Sequence, residues 1–131
     1  MATVVATVLS AQMLAQQPAG VPGAPHRWTL VTTGVTARLR GISAPSSRVI
    51  WASGTGGTVI RSADGGTTWS RLEIPDSSAL DFRDIDAVDD RTAYVLSIGD
   101  GDASRIYKTS DAGRTWTLQF RNDNPRAFYG I

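Results

Sequence analysis

A chain of 131 residues, 41% of them apolar, is long enough for one packed domain and too short for two well-developed ones. Thirteen basic and 12 acidic residues leave a formal net charge of +1, which excludes the basic stripe of a nucleic-acid surface. The absence of Cys rules out disulfides, thiolate metal sites and Cys nucleophiles, and the single His, His26, cannot build a multi-His metal site, so no metal or cofactor is expected.

Residues 2–15 are apolar and uncharged, too short to span a bilayer comfortably, and carry small residues near Ala15 suited to cleavage. Residues 1–17 are therefore expected to be a signal peptide. Export to the periplasm or the extracellular side of a bacterial envelope follows, with no membrane span once the leader is removed. No Lys or Arg precedes the apolar run, and a frayed N-terminal helix is the alternative. Residues 18–27, with Pro18, Pro22 and Pro25 among small residues, read as a linker.

From Trp28 onward the pattern is one of short strands and turns. Strands are predicted at 28–33, 39–44, 49–54, 58–62 and 68–74, then at 82–87, 93–98, 105–110 and 115–120. They are rich in β-branched and aromatic residues and bounded by Gly, Asp, Ser and Pro. The two sets align: Leu39, Arg40 and Ile42 match Phe82, Arg83 and Ile85, and Arg48 and Trp51 match Arg91 and Tyr94, all 43 residues apart. Asp64, Gly66, Thr68 and Trp69 match Asp111, Gly113, Thr115 and Trp116, 47 apart. The extra residues fall at a hairpin tip, where "GDGDAS" replaces "GTGG", and a structural repeat tolerates insertion there. Four strands recurring about every 45 residues is the period of propeller blades.

The shared stretches are "SADGGTTW", from Ser62 to Trp69, and "TSDAGRTW", from Thr109 to Trp116. Each lies between the third and fourth strands of its set, so it is a hairpin turn. The Asp carboxylate is expected to accept backbone N–H groups one to three residues on, as in an Asx turn. Gly66 and Gly113 supply a positive φ, Thr68 and Thr115 restart a strand, and Trp69 and Trp116 place a large ring under the turn. This structural reading of Ser62, Asp64, Gly66, Thr68, Trp69, Thr109, Asp111, Gly113, Thr115 and Trp116 outweighs a catalytic or metal role for the acids, because copies in successive blades would stand far apart.

The pattern resembles the Asp-box, or bacterial neuraminidase (BNR), repeat of sialidases, sortilin-type receptors and other β-propellers. The wider stretch "LRGISAPSSRVIWASGTGGTVIRSADGGTTW" is similar to the photosystem II stability/assembly-factor family and its relatives in non-photosynthetic bacteria. The resemblance covers Trp28 to Ile131. It implies an all-β fold: four-stranded antiparallel propeller blades with Asp-box hairpins, present here as an N-terminal fragment of about two blades. Residues 28–33 would be an outer closing strand, 39–74 blade 1, 82–120 blade 2, and 128–131 the start of blade 3. With unpaired edges and half-covered faces, such a fragment is expected to be marginal or self-associating.

Candidate chemistry is sparse. A sialidase-like glycoside hydrolase, acting on carbohydrate through residues in further blades, is the alternative function; the sialidase Arg-Ile-Pro signature is absent, and the only Glu, Glu73, ends an outer strand. "GTGG" lacks phosphate-loop spacing, and "DGDAS" lacks the later Gly and Glu of a calcium loop. Arg40 and Arg83 stand out, since both are second in an inner strand. Two readings stand side by side. They form a row that grips carboxylates or phosphates of an acidic partner, or they are locally paired, with Asp81, Asp84 and Asp86 beside Arg83. The expected function is a non-catalytic, exported scaffold or assembly factor that binds a protein partner.

Overall fold

The computed structural model describes residues 27–126. The expected signal peptide, the linker up to residue 26 and the third-blade strand at 128–131 lie outside the described residues.

The described chain is all-β apart from one 3-10 turn at Gly101–Ala103. Four strands, β1 (Leu39–Ser43), β2 (Ile50–Gly54), β3 (Thr58–Ser62) and β4 (Ser70–Leu72), form an antiparallel meander in chain order. Four more, β5 (Asp81–Ala87), β6 (Ala93–Ile98), β7 (Arg105–Thr109) and β8 (Thr117–Arg121), repeat it. The two sheets stack face to face and come nearest at β1, β2 and β5, while β4 and β8 stand apart. That wedge is how propeller blades splay around an axis, with β1 and β5 innermost.

Period-two alternation decides which face is covered. Trp51 and Val59 of the first blade meet Phe82, Ile85, Val95 and Tyr107 of the second in one continuous buried core. Trp51 is fully buried; the Trp116 ring stands edge-on to it at 6.3 Å, and the Arg61 guanidinium lies 5.1 Å from its centroid. Arg61 Nη2 also donates to the Asp90 carbonyl at 2.8 Å, so one side chain of blade 1 clamps the core aromatic and the neighbouring blade. At the inner edge Gly41 lets the strands close up. A Cβ there would sit 2.8 Å from Ile85 N and 2.9 Å from Asp84 Cα. Beside it the Ala87 N–H donates to Ser43 Oγ at 3.0 Å, across the seam.

Residues 28–33 are in no strand among the described residues, and Trp28 and Leu30 are fully exposed; the closing role expected of them needs a partner strand that the two described sheets do not hold. An extended segment becomes a strand only beside a ladder partner, and none of the eight described strands pairs with it. The outer strands also start later than predicted, at Ser70 and Thr117, because Thr68 and Thr115 are still engaged in the preceding turn.

Candidate functional site

The repeated turn is built from side-chain oxygens that replace a missing ladder. In the first copy the Ser62 hydroxyl donates to Asp64 Oδ1 at 2.8 Å and accepts the Gly66 N–H at 2.8 Å. Asp64 Oδ1 accepts the Thr68 N–H at 2.9 Å, and Oδ2 accepts the Thr68 hydroxyl at 2.7 Å. In the second copy Thr109, Asp111, Gly113 and Thr115 make the same four bonds, at 2.9, 2.9, 2.9 and 2.7 Å. The carboxylate thus reaches four residues on, two further than an Asx turn and one beyond the expected range. The nearer amides belong to the Ser or Thr that opens the motif. Gly66 and Gly113 have φ of +90° and +85°. Each loop is also tied to the hairpin before it, Gly65 N–H to the Arg48 carbonyl and Ala112 N–H to the Arg91 carbonyl.

The tryptophans of the motif are half-buried and play different parts. Trp69 Nε1 donates to the Gly66 carbonyl of its own turn at 3.1 Å. Trp116 instead packs against Trp51 of the first blade.

These hydrogen bonds set the acidity of the turns. The Thr68 hydroxyl and amide, then the Ser62 hydroxyl, bring the Asp64 carboxyl down from 3.8 to about 2. The Thr115 amide and hydroxyl, then the Thr109 hydroxyl, do the same for Asp111, also to about 2. A group with a depressed folded pKa stabilises the fold fully above its unfolded pKa and loses that contribution as pH falls through the folded one. The melting temperature is therefore expected to drop as pH falls from 3.8 toward about 2. Asp64→Asn with Asp111→Asn should flatten this drop, leaving a residue from Asp89, whose carboxyl is lowered by the Arg91 and Thr92 amides. An acid limb unchanged in the double variant would remove the turns from the pH dependence.

Arg40 and Arg83 occupy one structural position twice. In β1 the register runs Leu39↔Gly54, then Gly41↔Ser53. In β5 it runs Phe82↔Ser97, then Asp84↔Leu96. Each arginine is thus the extra residue of a β-bulge, a device that re-aims a side chain out of the pleat. Their surroundings differ. Arg40 Nε lies 3.3 Å from Asp81 Oδ1, an ion pair across the seam without hydrogen-bond alignment, and the Arg40 side chain is only 22% exposed. Arg83 is exposed and, among the described residues, makes no ion pair with Asp81, Asp84 or Asp86. The local pairing expected of Arg83 is made by its repeat mate instead. Asp84 Oδ1 turns back to accept the Ile85 N–H at 2.9 Å.

Asp81, two residues from Arg83 in sequence, pairs across the seam with Arg40. The signal lay in the repeat: 43 positions earlier stands Arg38, so the charge inverts at one register position between blades.

The other candidates are absorbed by the fold. The Gly57 N–H of "GTGG" donates to the Leu80 carbonyl at 2.8 Å, which leaves it nothing for a phosphate. Asp102 of "DGDAS" pairs with Arg105 at 3.3 Å. Glu73 sits just past β4, pairs with Arg71 at 3.4 Å and points to solvent. Tyr107 is buried, with its ring 6.2 Å from and perpendicular to that of Phe82. Among the described residues no group of three or more His, Asp or Glu is placed to hold a metal ion, and no helix is long and apolar enough to cross a membrane.

Comparison with known proteins follows the fold. The family model described as Photosynthesis system II assembly factor YCF48 matches residues 33–125. YCF48 from Cyanidioschyzon merolae superposes with a TM-score of 0.56 at 21% identity, over 69% of this chain and 29% of that one. A structure titled YCF48 bound to D1 peptide gives a TM-score of 0.39 at 18% identity, over 70% of this chain and 44% of that one. The chain thus spans less than half the length of either structure. No curated protein matches it.

Proposed function

Because the chain belongs to the photosynthesis system II assembly factor YCF48 family, we propose that it is an exported, non-catalytic scaffold whose inner-strand arginines hold a carboxylate-bearing segment of a protein partner. One observation carries this reading. Arg83 stands on a bulge, exposed and without an ion pair among the described residues, at the register where Arg40 is held by Asp81. A guanidinium takes a carboxylate through two parallel N–H bonds, and such charge-assisted bonds are about twice as strong as neutral ones. Arg40, at the same register of the neighbouring inner strand, is already paired with Asp81, which leaves Arg83 as the arginine open to a partner's carboxylate. Export rests on the leader read from the sequence.

The test uses the full chain and two labelled peptides, one rich in Asp and Glu and its Asn/Gln counterpart. Fluorescence anisotropy should show binding of the acidic peptide alone. Arg83→Ala should weaken it roughly tenfold, as loss of a charged hydrogen bond does, with stability changed by less than about 0.5 kcal/mol. Arg83→Lys should restore part of the affinity, because an ammonium lacks the fork. Equal binding of both peptides, or an unchanged affinity in Arg83→Ala, would defeat the proposal.

A further inference from the structure

We propose that Asp100 is a site of spontaneous backbone isomerisation, where Asp100 and Gly101 close to a succinimide that reopens as isoaspartate, while Asp64 and Gly65, the same dipeptide in the repeated turn, are protected by the fold. Asp followed by Gly occurs twice in the sequence. Glycine puts no Cβ in the way of the attacking nitrogen, so by sequence the two pairs are equally prone.

The reaction needs a free carboxyl, a free amide nitrogen and a peptide able to turn. The Gly101 nitrogen forms a bond to the side-chain carboxyl carbon of Asp100. That carbon gives up its hydroxyl, which leaves with the amide proton as water. Water then returns to one of the two ring carbonyls. Entry at the side-chain carbonyl restores aspartate. Entry at the main-chain carbonyl leaves isoaspartate, with the chain running through the former side chain and a new α-carboxylate beside it. No oxidant, reductant or cofactor takes part, and the mass of the chain is unchanged.

Asp100 meets all three needs. It is exposed, and its side chain makes no capping hydrogen bond to the 3-10 turn that follows it. Among the described residues no acceptor holds the Gly101 N–H, and the peptide between the two is tied by the Ala103 N–H on the Asp100 carbonyl at 3.2 Å, the long end of the usual range. A Cβ on Gly101 would meet nothing nearer than 4.0 Å, so the space around the nitrogen is open. This exposure belongs to the hairpin tip and not to a blade face. The counterpart tip in blade 1 keeps Gly56 exposed although blade 2 is in place beside it, and the tip of blade 2 is longer, the offset between repeat mates rising there from 43 to 47.

Asp64 meets none of them. Its Oδ1 accepts the Ser62 hydroxyl and the Thr68 N–H, and its Oδ2 accepts the Thr68 hydroxyl. These bonds bring the carboxyl down to about 2, so the protonated form, whose hydroxyl can leave, is scarce at neutral pH. The Gly65 N–H is spent on the Arg48 carbonyl at 2.8 Å.

Isoaspartate adds a carbon to the main chain and turns the carbonyl that Ala103 uses into a free carboxylate. The change falls two residues beyond Ile98, the partner of Asp81, at the end of the blade where β5 begins. The new α-carboxylate is the group that isoaspartyl methyltransferases esterify.

The test keeps the full chain folded at neutral pH and physiological temperature for weeks, then digests it and reads the peptides by mass spectrometry with electron-transfer fragmentation, which distinguishes isoaspartate from aspartate. The Asp100 peptide should split into two isomers. Isoaspartate should form there at least about tenfold faster than at Asp64, because releasing one hydrogen bond to a charged group already slows the step by that factor. In denaturant the two sites should react alike. Asp100 is exposed, so Asp100→Glu keeps its fold, and it should lose the signal at this position because its ring would need six members. An isoaspartyl methyltransferase should label the aged wild type and not the aged variant. Equal conversion at Asp64 and Asp100 in the folded chain, or conversion at Asp100 in denaturant alone, would overturn the inference.

Discussion

Trp51→Ala is expected to cost about 3–5 kcal/mol, the range for removing a large buried aromatic, and to abolish the cooperative melt of the two-blade unit. The ring is fully buried at the centre of the seam, where it supports three contacts at once. It fills the space between the sheets, stands under the edge of Trp116, and carries the Arg61 guanidinium that reaches on to the Asp90 carbonyl. Truncation therefore leaves a cavity between blades and an arginine without its platform. Trp69→Ala should cost clearly less, since that ring is half-buried and lies outside the core between the blades. Native stabilities of small domains are on the order of 5–15 kcal/mol, so the Trp51 loss alone can unfold the unit. Chemical denaturation of both variants checks this. Equal losses at the two tryptophans would show that the seam is not where the stability resides.

The contrast between those tryptophans marks what the sequence could show. The turns were legible because Ser62, Asp64, Gly66 and Thr68 lie within seven residues and satisfy one another. Their one misjudged feature was reach: the carboxylate spans four residues, and the outer strand waits until it is released. The blades were legible from the repeat, which fixed order and pairing without any long-range information. The seam was not. Trp51 reads as the mate of Tyr94, and only packing reveals that one is the centre of a core and the other sits on an open face. The arginines show the same boundary. Equivalence of Arg40 and Arg83 followed from spacing, and both prove to be bulge residues. Which of them Asp81 would neutralise did not, because the Arg40–Asp81 pair joins residues 41 apart across two blades, while Asp81 lies two residues from Arg83 in sequence. Residues two apart on a strand share a face only if no bulge intervenes, and here the bulge turns Arg83 away.

Gly57→Ala is the second substitution expected to have a large effect, and it acts on the site through the fold. Gly57 has φ of +63°, and a Cβ there would overlap the Ser77 carbonyl oxygen and lie 2.6 Å from its carbon. The obstacle is backbone, which cannot rotate aside. The Gly57 N–H also holds the Leu80 carbonyl at 2.8 Å, one residue before Asp81 enters β5. Left-handed backbone costs a residue with a Cβ about 1–2 kcal/mol, and forced overpacking about 1–3, so a loss of about 2–5 kcal/mol is expected. Gly56→Ala isolates the first part. Its φ is +65°, yet a Cβ there meets nothing closer than 4.0 Å, so the backbone penalty comes without the clash. The difference between the two variants measures how firmly the 77–80 connector is pinned. Displacing that connector moves Asp81 from Arg40, so the coupling between Arg40→Ala and Asp81→Ala, read from a double-mutant cycle, should shrink in the Gly57→Ala background and persist in Gly56→Ala. Equal destabilisation by the two glycine variants, with the Arg40–Asp81 coupling intact in both, would show that the connector yields freely and that the inner edge is positioned by the β1–β5 seam alone.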